Sequence, residues 1–172
     1  PISIDTLRNG TDTGNGYYPN KKLRLTATDT FADIAGDTMI NCQAWSAVRS
    51  IAKHSKHPVH RWGNMWTFKD AKISSFGAFH TSSLVFFYNN TGAGGIFPSR
   101  LYEDEQTVAN HLYLRLIDFI HGKGIGGKNW PAFDADSEKS LLITSAPPPA
   151  SNRVQLMTTQ HWKSEDCGVW AQ

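Results

Sequence analysis

The sequence lacks three features that would assign the chain to a specialised class of protein. It contains no uninterrupted apolar run of the roughly 20 residues that a membrane-spanning helix needs, and no charged-then-apolar signal segment at its start. Its net charge is only +2, which argues against a nucleic-acid-binding surface. The remaining composition, 40% hydrophobic and 19% charged over 172 residues, is typical of a globular protein with one hydrophobic core.

Cysteine is scarce as well. Cys42 and Cys167 are the two cysteines of the sequence, and neither has a partner at zinc-ligand spacing. This pattern leaves two interpretations, a disulfide or two buried thiols. Two Asn-x-Thr triplets, at Asn9 and Asn89, are candidate glycosylation sites and favour a secreted protein. Asn89 is the better placed of the two, because it lies on a polar loop after an apolar run.

Aromatic residues, in contrast, are plentiful, with six Trp, five Tyr and nine Phe. Such side chains fill either a large core or a wide apolar pocket. We expect those that lie in predicted strands or the apolar run to pack in the core: Trp62, Trp66, Phe86 and Phe87. Phe76 and Phe79 lie shortly before a histidine, and we expect them to line a pocket.

Periodicity and turn residues predict a chain that contains both helices and strands. Residues 1–28 form a loop-rich leading segment, and no linker divides residues 1–172 into separate domains. A helix is predicted over residues 37–54, with Gly36-Asp37-Thr38 as a new N-cap. A second helix begins at the acidic stretch Glu103-Asp104-Glu105 and ends at Gly122. The predicted strands cover residues 59–68, 141–144 and 154–157.

One histidine stands out by its position. His80 follows Gly77 and Ala78 on a small-residue turn and precedes the apolar run Leu84–Tyr88. A histidine on a loop backed by an apolar element is where a general base would lie. The pattern alone favours a loop histidine with no role over a catalytic one.

A second group of histidines invites a metal site. His54, His57 and His60 are spaced by three residues, as ligands on one helical face would be. Pro58 breaks any helix through them, because it has no N–H to continue the hydrogen-bond ladder. We therefore predict a solvated basic loop here, with no metal and no other cofactor.

Five motifs in a fixed order resemble the C-terminal portion of a type-B carboxylesterase of the cholinesterase-like α/β-hydrolase family. They run from about residue 29 to the end of the chain. In order, they are Asp33-Ile34-Ala35-Gly36-Asp37 before the helix with Cys42, Gly77-Ala78-Phe79-His80, Phe119-Ile120-His121-Gly122-Lys123-Gly124, Trp130-Pro131, and Cys167-Gly168-Val169-Trp170.

The resemblance implies the C-terminal part of an α/β-hydrolase fold, with a mostly parallel central sheet flanked by helices. It also implies serine acyl-enzyme chemistry on an ester substrate, with His80 as the general base. The sequence has no Gly-x-Ser-x-Gly motif, and no residue matches the family's acid. We therefore expect the serine and the acid to come from an upstream portion or a companion N-terminal chain.

Two positions after His80 depart from the family pattern. Thr81 and Ser83 stand where the family usually has Gly and Glu. Ser83 cannot supply a negative charge, which raises the alternative of a non-catalytic binding or adhesion protein of the same fold. A further alternative is acyl transfer to an alcohol in the same pocket. The resemblance also implies that Cys42 and Cys167 form a disulfide.

Overall fold

The computed structural model describes residues 27–92, 97–125, 130–146, 153–164 and 167–168. The chain divides into two compact units, residues 1–55 with 161–172 and residues 56–160. The described residues form a mixed α/β structure with a three-stranded sheet, which agrees with the expected fold class at this coarse level. The predicted loop-rich segment 1–28 lies almost entirely outside the described residues. Whether the units belong to one larger domain stays a prediction.

The first unit contains two consecutive helices joined by a π-helical turn. Helix α1 spans Ala27–Gly36, the π turn spans Asp37–Asn41, and helix α2 spans Cys42–His54. Helix α2 ends at Ser55, whose extended backbone leaves the helix. The predicted helix is therefore confirmed over its C-terminal part, but it does not begin at residue 37.

The predicted N-cap at Gly36-Asp37-Thr38 is wrong, because the backbone of Gly36 is helical and α1 continues into the π turn. The Thr38 hydroxyl donates backwards to the carbonyl oxygens of Ile34 and Ala35, at 2.8 and 3.2 Å. The Asp37 carboxylate accepts hydrogen bonds from Lys163 Nζ and Asn41 Nδ2, at 2.7 and 2.8 Å. Asp37 is buried beside this cation and caps no helix.

The disulfide between Cys42 and Cys167 is present in the first unit, which confirms that prediction. Both cysteines are buried, and 125 residues of sequence separate them. The ion pair of Asp37 and Lys163 joins the same two parts of the chain, at 2.7 Å. Together these contacts hold the segment around Cys167 against the start of α2.

The second unit contains the sheet, in the order β1-β2-β3. Strand β1 (Trp62–Asn64) pairs in parallel with β2 (Ser140–Ser145), which pairs in antiparallel register with β3 (Val154–Thr159). The predictions for β2 and β3 are confirmed. The connection from β1 to β2 contains a 3₁₀ turn (Ser74–Phe76), helix α3 (Ser83–Tyr88) and helix α4 (Glu103–Ile120). Helix α4 packs on α3 and on β3.

The strand predicted over residues 59–68 is much shorter than expected. Val59 makes a single bridge to Phe133, and regular pairing covers β1 alone. Beyond β1 the chain turns towards α4, where the Trp66 indole N–H and the Lys69 backbone N–H donate to Glu105 Oε1, at 2.8 and 3.0 Å. These hydrogen bonds stabilise a bend of the chain after β1, which a continuous straight strand would not allow.

Helix α4 confirms the prediction from its acidic first turn and its end at Gly122, which has a positive φ of 69°. Glu105 is fully buried, and its second carboxylate oxygen accepts the backbone N–H of Tyr102 at 2.9 Å. This contact satisfies an N–H at the helix start that the helix itself leaves unpaired. Only part of the predicted apolar stripe is buried, since Phe119 and Ile120 at the end of the helix are exposed.

The core of the second unit lies between the sheet, α3 and α4. Phe68 and Phe86 stack inside it, with ring centroids 4.9 Å apart. Its buried residues are Trp66, Phe68, Ile73, Val85, Phe86, Phe87, Val108, Ala109, Leu112, Ile125, Trp130, Leu141, Ile143 and Val154. The core predictions for Trp66, Phe86 and Phe87 are confirmed. Trp62 remains 43% exposed and packs edgewise on this core.

No helix of the described residues is long and apolar enough to cross a membrane.

Candidate active site

The segment before His80 is shaped by glycine. The 3₁₀ turn ends at Gly77, whose N–H donates to the Ser74 carbonyl oxygen at 3.3 Å. Gly77 adopts φ 65° and ψ −149°, a backbone conformation that is essentially restricted to glycine. A Cβ atom built on Gly77 would meet no heavy atom within 4 Å, so conformation alone accounts for the glycine.

His80 occupies the second position of a four-residue turn. The Ser82 N–H donates to the Phe79 carbonyl oxygen at 3.1 Å, which closes the turn over His80 and Thr81. Thr81 has φ 69°. A type II turn requires a positive φ at its third position, which normally holds glycine. A β-branched residue there costs on the order of 1–3 kcal/mol of backbone strain. The turn is therefore held by its surroundings.

A hydrogen bond ties this turn to the sheet. Asn64, the last residue of β1, donates from Nδ2 to Ser82 Oγ at 2.6 Å. Its Oδ1 accepts the backbone N–H of Trp66 at 3.1 Å, which fixes the orientation of the amide. Ser82 is 1% exposed, so loss of either partner would leave a buried polar group unpaired. The His80 turn therefore lies at the carboxyl end of parallel strand β1.

The imidazole of His80 is exposed, and it makes no hydrogen bond or ion pair with any residue that the structure describes. Phe79 is half-buried against the core, whereas Phe76 is 63% exposed. Their rings meet edgewise, with centroids 6.1 Å apart. The two phenylalanines before the histidine are thus one anchored and one solvent-facing ring. Their role in lining a pocket stays a prediction.

Ser83, the position where the family pattern has Glu, is the first residue of α3 and is half-buried. Apolar residues follow it in the helix, and Val85, Phe86 and Phe87 are buried. Helix α3 thus anchors the turn from its other side. The apolar run after His80 thus forms a short helix of six residues, and this helix supports the turn.

An open groove of about 520 Å³ lies elsewhere in the second unit, at the start of α4. Lys69 and Asp104 form an ion pair in it at 2.7 Å. Burial by itself raises the pKa of Asp104, but hydrogen bonds from Lys69 and from the Val154 backbone outweigh burial and lower the pKa. The groove is lined by Lys69, Tyr102, Glu103, Asp104, Thr107, Val108, Arg153 and Val154, so none of its residues comes from the His80 turn.

The histidines considered as metal ligands do not form a cluster. In the described ranges, no three His, Cys, Asp or Glu side chains come close enough together to hold a metal ion. His54 is the last residue of α2, whereas His60 is half-buried before β1, edge-on to Trp130.

His60 should make the protein less stable in mild acid. Burial lowers its pKa below the ordinary 6.5, although backbone hydrogen bonds at Pro131 and Trp130 oppose this effect. The unfolded chain therefore takes up a proton before the folded chain does, and stability falls as the pH drops through 6.5. Urea unfolding at neutral and at mildly acidic pH should show a smaller acid loss for His60→Gln than for the wild type. The exposed His54, changed to Gln, is the control, and an equal acid loss in both variants would refute the assignment.

Four other predicted residues have simple outcomes. Asn89 is exposed at the end of α3, where the structure describes it fully. Asn9 lies outside the described residues. Cys42 and Cys167 form the disulfide described above.

Sequence reasoning missed Asn64 and Ser82, which support the histidine turn. No motif or period connects a lone asparagine with a serine 18 positions away. A small polar residue two positions after His80 was the only available signal, and many serines satisfy it.

No protein-family model matches the chain, and no curated protein sequence is significantly similar to it. The likeness to the cholinesterase-like family therefore remains a hypothesis based on ordered motifs.

Proposed function

We propose that the chain supplies the general-base histidine of a secreted carboxylic-ester hydrolase of the cholinesterase-like α/β-hydrolase type. His80 is the base, and the nucleophilic serine and the acid come from an upstream portion or a companion chain. The observation that carries the proposal is the 2.6 Å hydrogen bond from Asn64 to Ser82, which anchors the His80 turn at the end of β1. Sites in open α/β sheets form beyond the carboxyl ends of parallel strands.

The shape of the turn supports the same proposal. Thr81 has the positive φ that glycine adopts without strain, and the family that the chain resembles usually has glycine at this position. Thr81 therefore keeps the backbone conformation that a glycine would allow here, although the residue differs. A strained turn next to a histidine is typical of functional sites.

The open edge of the sheet supports a missing partner portion. Among the described residues, β1 pairs with β2 on one side and has no strand on the other. Parallel sheets are usually covered on both faces and extended by further strands. Trp62 and Met65, in and after β1, are 43% and 52% exposed. An upstream portion that adds strands beside β1, with helices packed on the faces of the sheet, would cover these side chains.

His80 would act twice in each catalytic cycle. One ring nitrogen takes the serine hydroxyl proton while the serine oxygen bonds to the ester carbonyl carbon, and it then delivers the proton to the leaving alkoxide. Water repeats the cycle, releasing the carboxylic acid and restoring the serine. The other ring nitrogen would donate to the acid, which holds the tautomer. Exposure of the imidazole leaves both nitrogens accessible to these partners.

The test is ester hydrolysis by the full-length protein. We expect turnover of short aryl esters and covalent labelling of the upstream serine by a fluorophosphonate. The isolated 172-residue chain should show neither and should not melt cooperatively, because its sheet lacks the neighbouring strands. A full-length protein that neither hydrolyses esters nor accepts the label would support the binding-protein alternative. Faster product formation with an added alcohol would indicate acyl transfer.

Ser82 should position the base without touching the substrate. In the full-length enzyme, Ser82→Ala removes the acceptor of the Asn64 amide and lets the turn shift, so we expect kcat to fall about tenfold with little change in KM. Ser75→Ala, an exposed serine in the preceding 3₁₀ turn, is the matched control. Steady-state kinetics on an aryl ester check the prediction, and an unchanged kcat in Ser82→Ala would refute it.

A further inference from the structure

The chain leaves helix α3 through a short exposed turn that carries an Asn-x-Thr triplet. Asn89 terminates the helix with φ 49° and ψ 42°, a left-handed conformation that asparagine tolerates well. The Asn90 N–H donates to the Val85 carbonyl oxygen at 3.3 Å, and the Gly92 N–H donates to the Pro98 carbonyl oxygen at 2.8 Å. The turn is thus anchored at both ends, while residues 88–92 are exposed.

The Asn89 side chain already lies on the outer face of α4. Its Oδ1 accepts a hydrogen bond from Gln106 Nε2 at 2.7 Å, and its Nδ2 donates to Asn110 Oδ1 at 3.1 Å. An asparagine amide carries two hydrogens on Nδ2. Substitution of one of them leaves the other to donate, so both contacts can persist after modification. The three side chains are exposed or half-exposed, and solvent borders the amide.

The geometry points to Asn89 as an N-linked glycosylation site, a modification independent of the esterase proposal. The donor is an oligosaccharide carried on a polyprenyl diphosphate. Asn89 Nδ2 forms a bond to the anomeric carbon, the bond from that carbon to the diphosphate oxygen breaks, and the amide loses one proton as the polyprenyl diphosphate leaves. The Cys42–Cys167 disulfide places no obstacle here, since disulfides form in the same oxidising secretory compartment.

The sequence around the site offers matched controls. Asn90 is followed by Thr91 and Gly92, so it is not an acceptor itself, yet it is exposed like Asn89. The full-length protein should be secreted from a eukaryotic host as wild type, Asn89→Gln, Asn90→Gln, Thr91→Ser and Thr91→Ala. Its peptides should then be mapped by mass spectrometry after enzymatic glycan release in heavy-oxygen water.

We expect heavy aspartate at position 89 in the wild type, in Asn90→Gln and in Thr91→Ser. On a gel, Asn89→Gln and Thr91→Ala should migrate faster than the wild type by the mass of one glycan. Because the glycan is transferred before the chain folds, the protein retained in the cells shows whether position 89 is modified in variants that fail to be secreted. An unmodified Asn89 in the wild type overturns the proposal, whether or not Asn9 carries a glycan. Migration of both Asn89→Gln and Thr91→Ala at the position of the wild type would overturn it as well.

Discussion

Replacing His80 with alanine should, on the proposed mechanism, lower kcat for ester hydrolysis by about 10⁴-fold or more in the full-length protein, because that mechanism has no second group to take the serine proton. KM should change much less, since the imidazole contributes little to ground-state binding. The turn should persist, because its anchor is the Asn64–Ser82 hydrogen bond and not the exposed imidazole. Steady-state kinetics with an aryl ester, together with a thermal melt, measure both effects.

The matched control for this variant is His121→Ala. His121 is an exposed histidine of the same unit, at the end of α4, and its loss should leave kcat unchanged. Labelling by a fluorophosphonate gives a second readout, because serine attack on phosphorus also needs the base. Residual activity of His80→Ala within tenfold of the wild type would rule out His80 as the general base. Equal loss in both histidine variants would point to a folding defect instead.

Loss of the disulfide should have the largest effect on stability. Cys42→Ala should cost on the order of 4–5 kcal/mol of unfolding free energy, because the bond closes a long loop and restricts the unfolded chain. The two cysteines are 125 residues apart, which is near the upper end of this entropy effect. Denaturant unfolding of the full-length protein, with and without a reductant, measures the loss.

The double variant Cys42→Ala with Cys167→Ala is the internal control. If the bond itself stabilises the protein, the double variant loses no more than either single variant, because each single change already breaks the bond. A reductant should then destabilise the wild type and leave the double variant unaffected. Additive losses from the two alanines would instead show that the cysteines contribute by packing in their buried positions.

The predictions that succeeded rest on short-range patterns. Helix α4 begins at Glu103 because acidic residues favour a helix start, and its apolar residues recur at helical spacing. Strands β2 and β3 follow from short apolar runs bounded by turn residues. Gly77, three residues before His80, ends the preceding 3₁₀ turn in a backbone conformation closed to other residues, as a small-residue turn predicts. Each of these signals is contained within a few neighbouring residues.

The predictions that failed involve partners far away in the sequence. Asp37 was expected to cap a helix, but Lys163 lies 126 positions away and draws its carboxylate into an ion pair. The strand around Trp66 is cut short because Glu105, 39 positions away, accepts the indole N–H. The hydrogen-bond partners of a buried carboxylate depend on three-dimensional packing, so the periodicity of the sequence does not predict them.

The sequence by itself determined the α/β class, helix α4, strands β2 and β3, and the exposed turn that carries His80, since local propensity and spacing suffice for these features. Tertiary structure alone decided that Asn64 would hold that turn at the end of β1, that Asp37 would pair with Lys163, and that β1 would stop at three residues. Those contacts join residues 18 to 126 positions apart. Only the packed core brings such residues together, because hydrogen bonds of this kind gain their value once water is excluded.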